Sequence, residues 1–269
     1  MATKGFDTVF TGISTACFYP ATTEDSLLQI APLGPACIEV FLNAAMELRP
    51  DYLKKLRSIA EGSGIRVVSV HPYCSIMEPM LFFSYYQRRF EEGVELYKHF
   101  FAAAALLGAD TLVFHGDIKQ STLPREEYFR RFSILWETAK SMGIHLCQEN
   151  VERCVSGSMD FLADMKRNLP DAEYILDVKQ AVRSGQNPFE LATLLGEKVR
   201  HIHMSDHRKG YDCLVPGSGV FNIREFLFTM RKTGFSGGVI VELYRENFKD
   251  IVEISRGFQH LSTIVSTVS

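Results

Sequence analysis

Short apolar runs rich in β-branched residues recur along the chain. Each is followed by a longer stretch in which apolar residues return every three or four positions. Eight such runs predict eight strands, at residues 9–14, 36–41, 66–71, 111–115, 145–149, 174–177, 199–204 and 238–242. Between them the spacing predicts helices over 50–61, 85–107, 125–142 and 223–232. The first opens on Pro50, a residue suited to a first helical turn. The second lines Phe90, Val94, Tyr97, Phe101 and Ala104 along one face. Gly64, Gly108 and Gly143 each stand just before a strand, where a left-handed cap would end the helix.

Alternating strand and helix implies a parallel sheet, and strands covered on both faces read as continuous apolar runs, as these do. Eight repeats in 269 residues favour a closed (β/α)₈ TIM barrel, α/β in class, with residues 1–269 forming a single domain. An open doubly wound sheet would carry a glycine-rich turn after its first strand. Here that turn reads Ile13-Ser-Thr-Ala-Cys.

Composition narrows the function. Hydrophobic residues make up 46% and charged residues 23%, ordinary for a globular chain. The net charge of −3 lacks the basic excess that a phosphate-backbone surface needs, so no nucleic-acid partner is expected. No apolar run reaches the roughly 18 residues that span a bilayer, so no membrane role is expected. Met1 to Thr8 carries no secretion pattern. The six cysteines form no C-x-x-C pair and sit mostly in apolar runs, which places the protein in a reducing cytoplasm.

The chemistry collects at strand ends. His71, His115, Glu149, Asp177, His203 and Glu242 close six of the eight runs. Taken singly, a polar residue after a strand is usually the first solvated loop position. In a barrel, however, all these ends open on one mouth, and a buried polar group is costly unless paired or metal-bound. Two glutamates, an aspartate and a histidine suit a divalent cation with mixed oxygen and nitrogen ligands. No cysteine cluster indicates a structural zinc site.

Five segments carry a resemblance: Gln148-Glu149-Asn150, Leu176-Asp177, His201-Ile-His203-Met-Ser-Asp206, Pro216-Gly-Ser-Gly219 and Val241-Glu242. In order and spacing they resemble the xylose isomerase-like TIM barrels, and within them the sugar (phosphate) isomerase/epimerase family, which includes the ketose 3-epimerases. The endonuclease IV enzymes share this fold and motif order. The resemblance implies that Glu149, Asp177, His203 and Glu242 hold one divalent metal ion, Mn²⁺ first, with Zn²⁺, Mg²⁺ or Co²⁺ as alternatives. It implies that Glu149 and Glu242 are the catalytic pair that exchanges protons with substrate. His71, His115, Gln180 and Arg208 are the substrate-binding candidates. Gln180 stands where the family has histidine, and Arg208 lies one residue short of an epimerase arginine. His71 and His115 match endonuclease positions that bind further zinc ions, but the second Asp-x-His motif of those enzymes is missing near Asp212. His201 is given a packing or supporting role.

Epimerising or isomerising a sugar removes a proton beside a carbonyl, so a carboxylate base and a cation that steadies the enediolate belong together. The expected partner is a small-molecule sugar, ketose or related polyol, and self-association is expected. An inosose-type dehydratase, an AP endonuclease-like hydrolase and a non-catalytic sugar-binding barrel stay open as alternatives. Residues 77–86 (MEPMLFFSYY) are read as a lid or an oligomer contact. The segment 216–219 is read as a substrate-covering loop or, preferably, a turn before the next helix. Phe18, Tyr19, Tyr73 and Trp136 are candidates for an apolar wall, Trp136 being better placed in the core.

Overall fold

A computed structural model describes residues 9–268. Residues 1–8, where no secretion pattern is expected, lie outside the described residues. Among the described residues ten strands are present: β1 Phe10–Ser14, β2 Cys37–Leu42, β3 Arg66–Pro72, β4 Thr111–Phe114, β5 His145–Glu149, β6 Glu173–Asp177, β7 Val199–Met204, β8 Asp206–Arg208, β9 Tyr211–Leu214 and β10 Gly238–Val241. Ten α-helices accompany them: α1 Thr23–Ile30, α2 Pro50–Gly62, α3 Glu78–Phe82, α4 Gln87–Leu107, α5 Arg125–Ser141, α6 Met159–Asn168, α7 Val178–Arg183, α8 Pro188–Leu195, α9 Ile223–Lys232 and α10 Ile251–Val268.

Eight strands close into a parallel barrel in the order β1-β10-β7-β6-β5-β4-β3-β2. Closure is made by β1 against β10, from Phe10 opposite Gly238 to Ile13 opposite Val241. The eight anticipated strands are these eight. The extra pair, β8 and β9, is an antiparallel hairpin above the mouth. It directly follows β7 and was not anticipated.

Local sequence explains the elements. Pro50 opens α2, whose buried residues Leu53, Leu56 and Ala60 face the barrel. In α9 the buried residues Ile223, Phe226, Leu227 and Met230 return at helical spacing, each full burial worth about 1.5–3 kcal/mol. Gly64, Gly108 and Gly143 adopt φ of 68°, 83° and 77°, the left-handed backbone expected at these stops. Trp136 lies on α5 and packs against the core, with the Lys140 ammonium 4.5 Å from its ring centroid.

Two irregularities in the ladder aim side chains at the site. Between β2 and β3 the register slips after Ile38, which sets Glu39 opposite Ser69. Between β6 and β7 it slips after Tyr174, which sets Asp177 opposite His203. Such bulges turn side chains without breaking the sheet.

Candidate metal centre

Glu149 ends β5, Asp177 ends β6, His203 lies near the end of β7 and Glu242 directly follows β10. Barrel closure brings one ligand atom from each to within 4.8 Å of the others, and all four residues are buried. His203 Nδ1 lies 3.3 Å from Glu149 Oε1, 3.3 Å from Glu242 Oε2 and 3.6 Å from Asp177 Oδ2. Three carboxylates around one imidazole nitrogen form a hard-to-borderline donor set, which fits a divalent ion. Glu149 Oε2 is buried, with His115 Nε2 2.8 Å away. A buried carboxylate in a dry site is costly unless a cation or a donated proton meets it.

Beneath this set lies a residue that the strand-end pattern does not reveal. Glu39, in the middle of β2, is fully buried. Its Oε1 accepts from Ser14 Oγ (3.2 Å) and its Oε2 from Ser69 Oγ (2.8 Å). The same Oε2 is 3.1 Å from His203 Nε2 and 3.2 Å from His201 Nε2. Glu39 thus holds the rear nitrogen of His203 and leaves Nδ1 facing the three mouth carboxylates. A carboxylate behind a ligand imidazole fixes its tautomer and ring orientation. His201 shares this floor, its Nε2 3.0 Å from His203 Nε2. A lone carboxylate inside the apolar run Cys37-Ile-Glu-Val-Phe-Leu was the available signal.

The charges follow from this arrangement. Burial alone would raise the Glu39 and Glu149 carboxyls, but the facing histidines hold both well below the ordinary range. Burial opposes a charge on His203, yet the Glu242 and Glu39 carboxylates raise its pKa well above the usual value. Burial lowers the His201 pKa below the usual value.

Lys179 was also missed. It stands in the first turn of α7, fully enclosed, and donates to Asp177 Oδ2 and Glu242 Oε2. Burial disfavours its charge, but those two carboxylates raise its pKa well above the ordinary lysine value. Its position two residues after a strand-end aspartate was the only signal.

His71 and His115 form a separate wire beside Glu149. His71 Nδ1 meets the Pro72 carbonyl at 3.2 Å, so that nitrogen carries the proton. Arg153 Nη2, only a donor, meets His115 Nδ1 at 2.9 Å, so the His115 proton sits on Nε2. That Nε2 lies between His71 Nε2, at 3.0 Å, and Glu149 Oε2, at 2.8 Å. Burial, helped by the neighbouring His115, lowers the His71 pKa to about 4. Glu78 supports the wire from below. Its Oε2 accepts the backbone N–H groups of His115 (2.8 Å) and Gly116, and its Oε1 accepts from Tyr97. Burial raises its pKa to about 7.

The remaining candidates are placed differently. Gln180 is buried. Its N–H donates to Asp177 Oδ1 at 2.9 Å and its Oε1 accepts from Glu152 N–H at 3.0 Å, tying α7 to the loop after β5. Arg208 is exposed at the end of β8, with its guanidinium 4.7 Å from the Tyr211 ring centroid. Asp206 accepts backbone N–H bonds from His207, Gly217, Gly219 and Phe221, which pins the segment 216–219 as a turn. In the segment 77–86, Met77, Met80, Tyr85 and Tyr86 are exposed, while Phe82 and Phe83 are buried. Of the anticipated apolar wall, Phe18 is buried, Tyr73 half-buried and Tyr19 exposed. All six cysteines are reduced and buried. No described helix is long and apolar enough to cross a membrane.

A barrel with acidic and imidazole side chains converging at one mouth defines the class. The chain belongs to the xylose isomerase-like TIM barrel family, whose model matches residues 27–264. Among solved structures it is similar to a D-tagatose 3-epimerase-like protein, at 20% identity and a TM-score of 0.79 over 96% of this chain and 98% of that one. An IOLI protein with a binding zinc atom is 18% identical, with a TM-score of 0.75 over 96% and 97% of the two chains. The 3-keto-D-glucoside 4-epimerase YcjR from E. coli is 16% identical, with a TM-score of 0.73 over 95% and 99%. No curated protein matches the sequence.

Proposed function

We propose that the protein is a divalent-metal-dependent enzyme that isomerises or epimerises a sugar, ketose or related polyol through an enediolate. The observation that carries this reading is the meeting of Glu149, Asp177, His203 and Glu242 within 4.8 Å at the barrel mouth. These four residues would hold the ion. When bound, it would supply the positive charge that makes a carbon-bound proton beside a carbonyl removable.

The chain's own residues do the rest. Glu149 Oε2, buried at the mouth with His115 Nε2 beside it, is the base. Glu242 reaches the site from another wall, since two strands, β6 and β7, separate β5 from β10. Carboxylates on two walls can serve the two faces of a carbon held between them, which epimerisation requires. His115 Nε2 stands 2.8 Å from Glu149 Oε2 and orients that carboxylate toward the mouth. The zinc atom of the IOLI structure and the epimerase names among the similar folds support a metal and a sugar. Mn²⁺, a cytoplasmic setting and self-association belong to the same reading.

The missing second Asp-x-His motif near Asp212 favours this over an AP endonuclease. The test is proton exchange at the carbon next to the carbonyl, followed by NMR in D₂O with Mn²⁺-loaded protein and a panel of ketoses and keto-polyols. Wild type should exchange and convert at least one of them. Glu149→Gln and Glu242→Gln should each lose about 10²–10⁴ of that rate. Full turnover in both variants refutes the assignment, and loss of water without epimer formation would instead mark a dehydratase.

A further inference from the structure

The four-ligand site already contains a cation of the chain's own. Lys179 Nζ donates to Asp177 Oδ2 and Glu242 Oε2, one oxygen from each of two ligand carboxylates. Both oxygens also face His203 Nδ1, at 3.6 Å and 3.3 Å, so the ammonium sits on the ligand side of the cluster. Lys179 is 3% exposed. It is held in place by a short tether, because Asp177 ends β6 and Lys179 belongs to the first turn of α7. Among the side-chain charges around it are Asp177, Glu242, Glu149 and Asp212, with the Tyr244 ring 5.6 Å away.

We propose that Lys179 sets the affinity of this site for a divalent ion, its ammonium and the ion competing for the Asp177 and Glu242 oxygens. The inference rests on the metal reading above and goes beyond it, because it names the residue that opposes loading. Two physical reasons carry it. An oxygen that accepts from an ammonium has given a lone pair to that proton and must release it to coordinate an ion. A positive charge a few ångströms from an incoming dication also repels it, in a dry site where such interactions are strongest. In the absence of the ion the same ammonium neutralises carboxylates that would otherwise be buried and unpaired, so it keeps the empty site folded.

The test compares Mn²⁺ binding by wild type and Lys179→Met, measured by titration calorimetry on the full chain, with thermal unfolding of both. Competition predicts Mn²⁺ binding at least tenfold tighter in the variant. It also predicts a larger rise in Tm on adding Mn²⁺, because the variant's metal-free form has lost its internal counter-charge. Binding detectable in the variant alone is the limit of the same competition. Equal or weaker binding in a folded variant overturns it. Binding by neither protein overturns the metal reading itself, and the competition with it. A second measurement needs no variant: reductive methylation of wild type, read by peptide mass spectrometry. Labelling of Lys179 should rise several-fold when Mn²⁺ is present, as the side chain is driven off its carboxylates. Unchanged or reduced labelling contradicts the proposal.

Discussion

Glu39 and His203 meet on the floor of the barrel, Oε2 3.1 Å from Nε2, although 164 residues separate them. Neither side chain is exposed. The pair sets which nitrogen of His203 looks outward, and so couples a residue that touches no substrate to the ligand cluster above it. Replacing Glu39 by glutamine keeps the shape but weakens that hold. Mn²⁺ affinity should fall by about 10- to 100-fold, as for other partners of ligand histidines, read by calorimetry. Replacing it by alanine removes the acceptor for two serines and two histidines. A loss of about 3–5 kcal/mol in urea unfolding is expected, and a loss below about 1 kcal/mol would show that Glu39 is not the anchor described.

Glu78 predicts a pH dependence of stability. Its carboxyl is fully buried and its pKa is raised from 4.5 to about 7, chiefly by burial. Between those values the folded chain binds more protons than the unfolded one. The stabilisation is therefore complete below about pH 4.5 and is lost as pH rises through 7, a total of about 3 kcal/mol. A glutamine at this position has no proton to lose. The difference in unfolding free energy between wild type and Glu78→Gln should move against wild type from pH 5 to pH 8.5. A flat difference would show that Glu78 is ionised throughout.

Asp206 predicts a local effect. Its carboxylate gathers four backbone N–H groups, from His207 to Phe221. Hydrogen bonds to a charged group are worth about 1.5–3 kcal/mol each, though they do not add fully. In Asp206→Ala the segment 207–221 should open to limited proteolysis at rates well above wild type, with overall Tm lowered by several degrees. Unchanged cleavage would mean that the turn holds itself.

Gly116 predicts strain next to the wire. It has a φ of 86°, and a Cβ there would meet Tyr128 Oη at 2.1 Å. That hydroxyl donates to Gln148 Oε1 at 2.6 Å, so it cannot move away freely. Gly116→Ala should cost about 2 kcal/mol or more in urea unfolding, a combination of left-handed backbone and overpacking. A cost within experimental error would show that the loop after β4 is slack.

Much of this architecture was readable from local pattern. Strand runs such as Thr111-Leu-Val-Phe are apolar because a parallel strand is covered on both faces. The glycines at 64, 108 and 143 stop helices because only they enter the left-handed region without penalty. The hairpin β8–β9 escaped notice because its strands are three and four residues long and carry polar residues, a pattern no different from a loop. Glu39 escaped because it lies inside a strand rather than at its end, and the bulge that sets it opposite Ser69 leaves no periodic trace. Arg208, placed by motif spacing, falls on the exposed hairpin, where spacing along the chain no longer measures distance from the mouth.

The sequence by itself determined the alternation of strand and helix, and with it the list of polar residues that end strands, because periodicity and turn chemistry act over a few neighbouring residues. Only the tertiary structure decided which of those groups meet. Register, the two bulges and closure of β1 on β10 set the distances across the mouth, and these join residues far apart in the chain. Lys179 against Glu242 and Glu39 against His203 are contacts of that kind. The free energy of each depends on burial and on facing charge, which no local stretch of sequence contains.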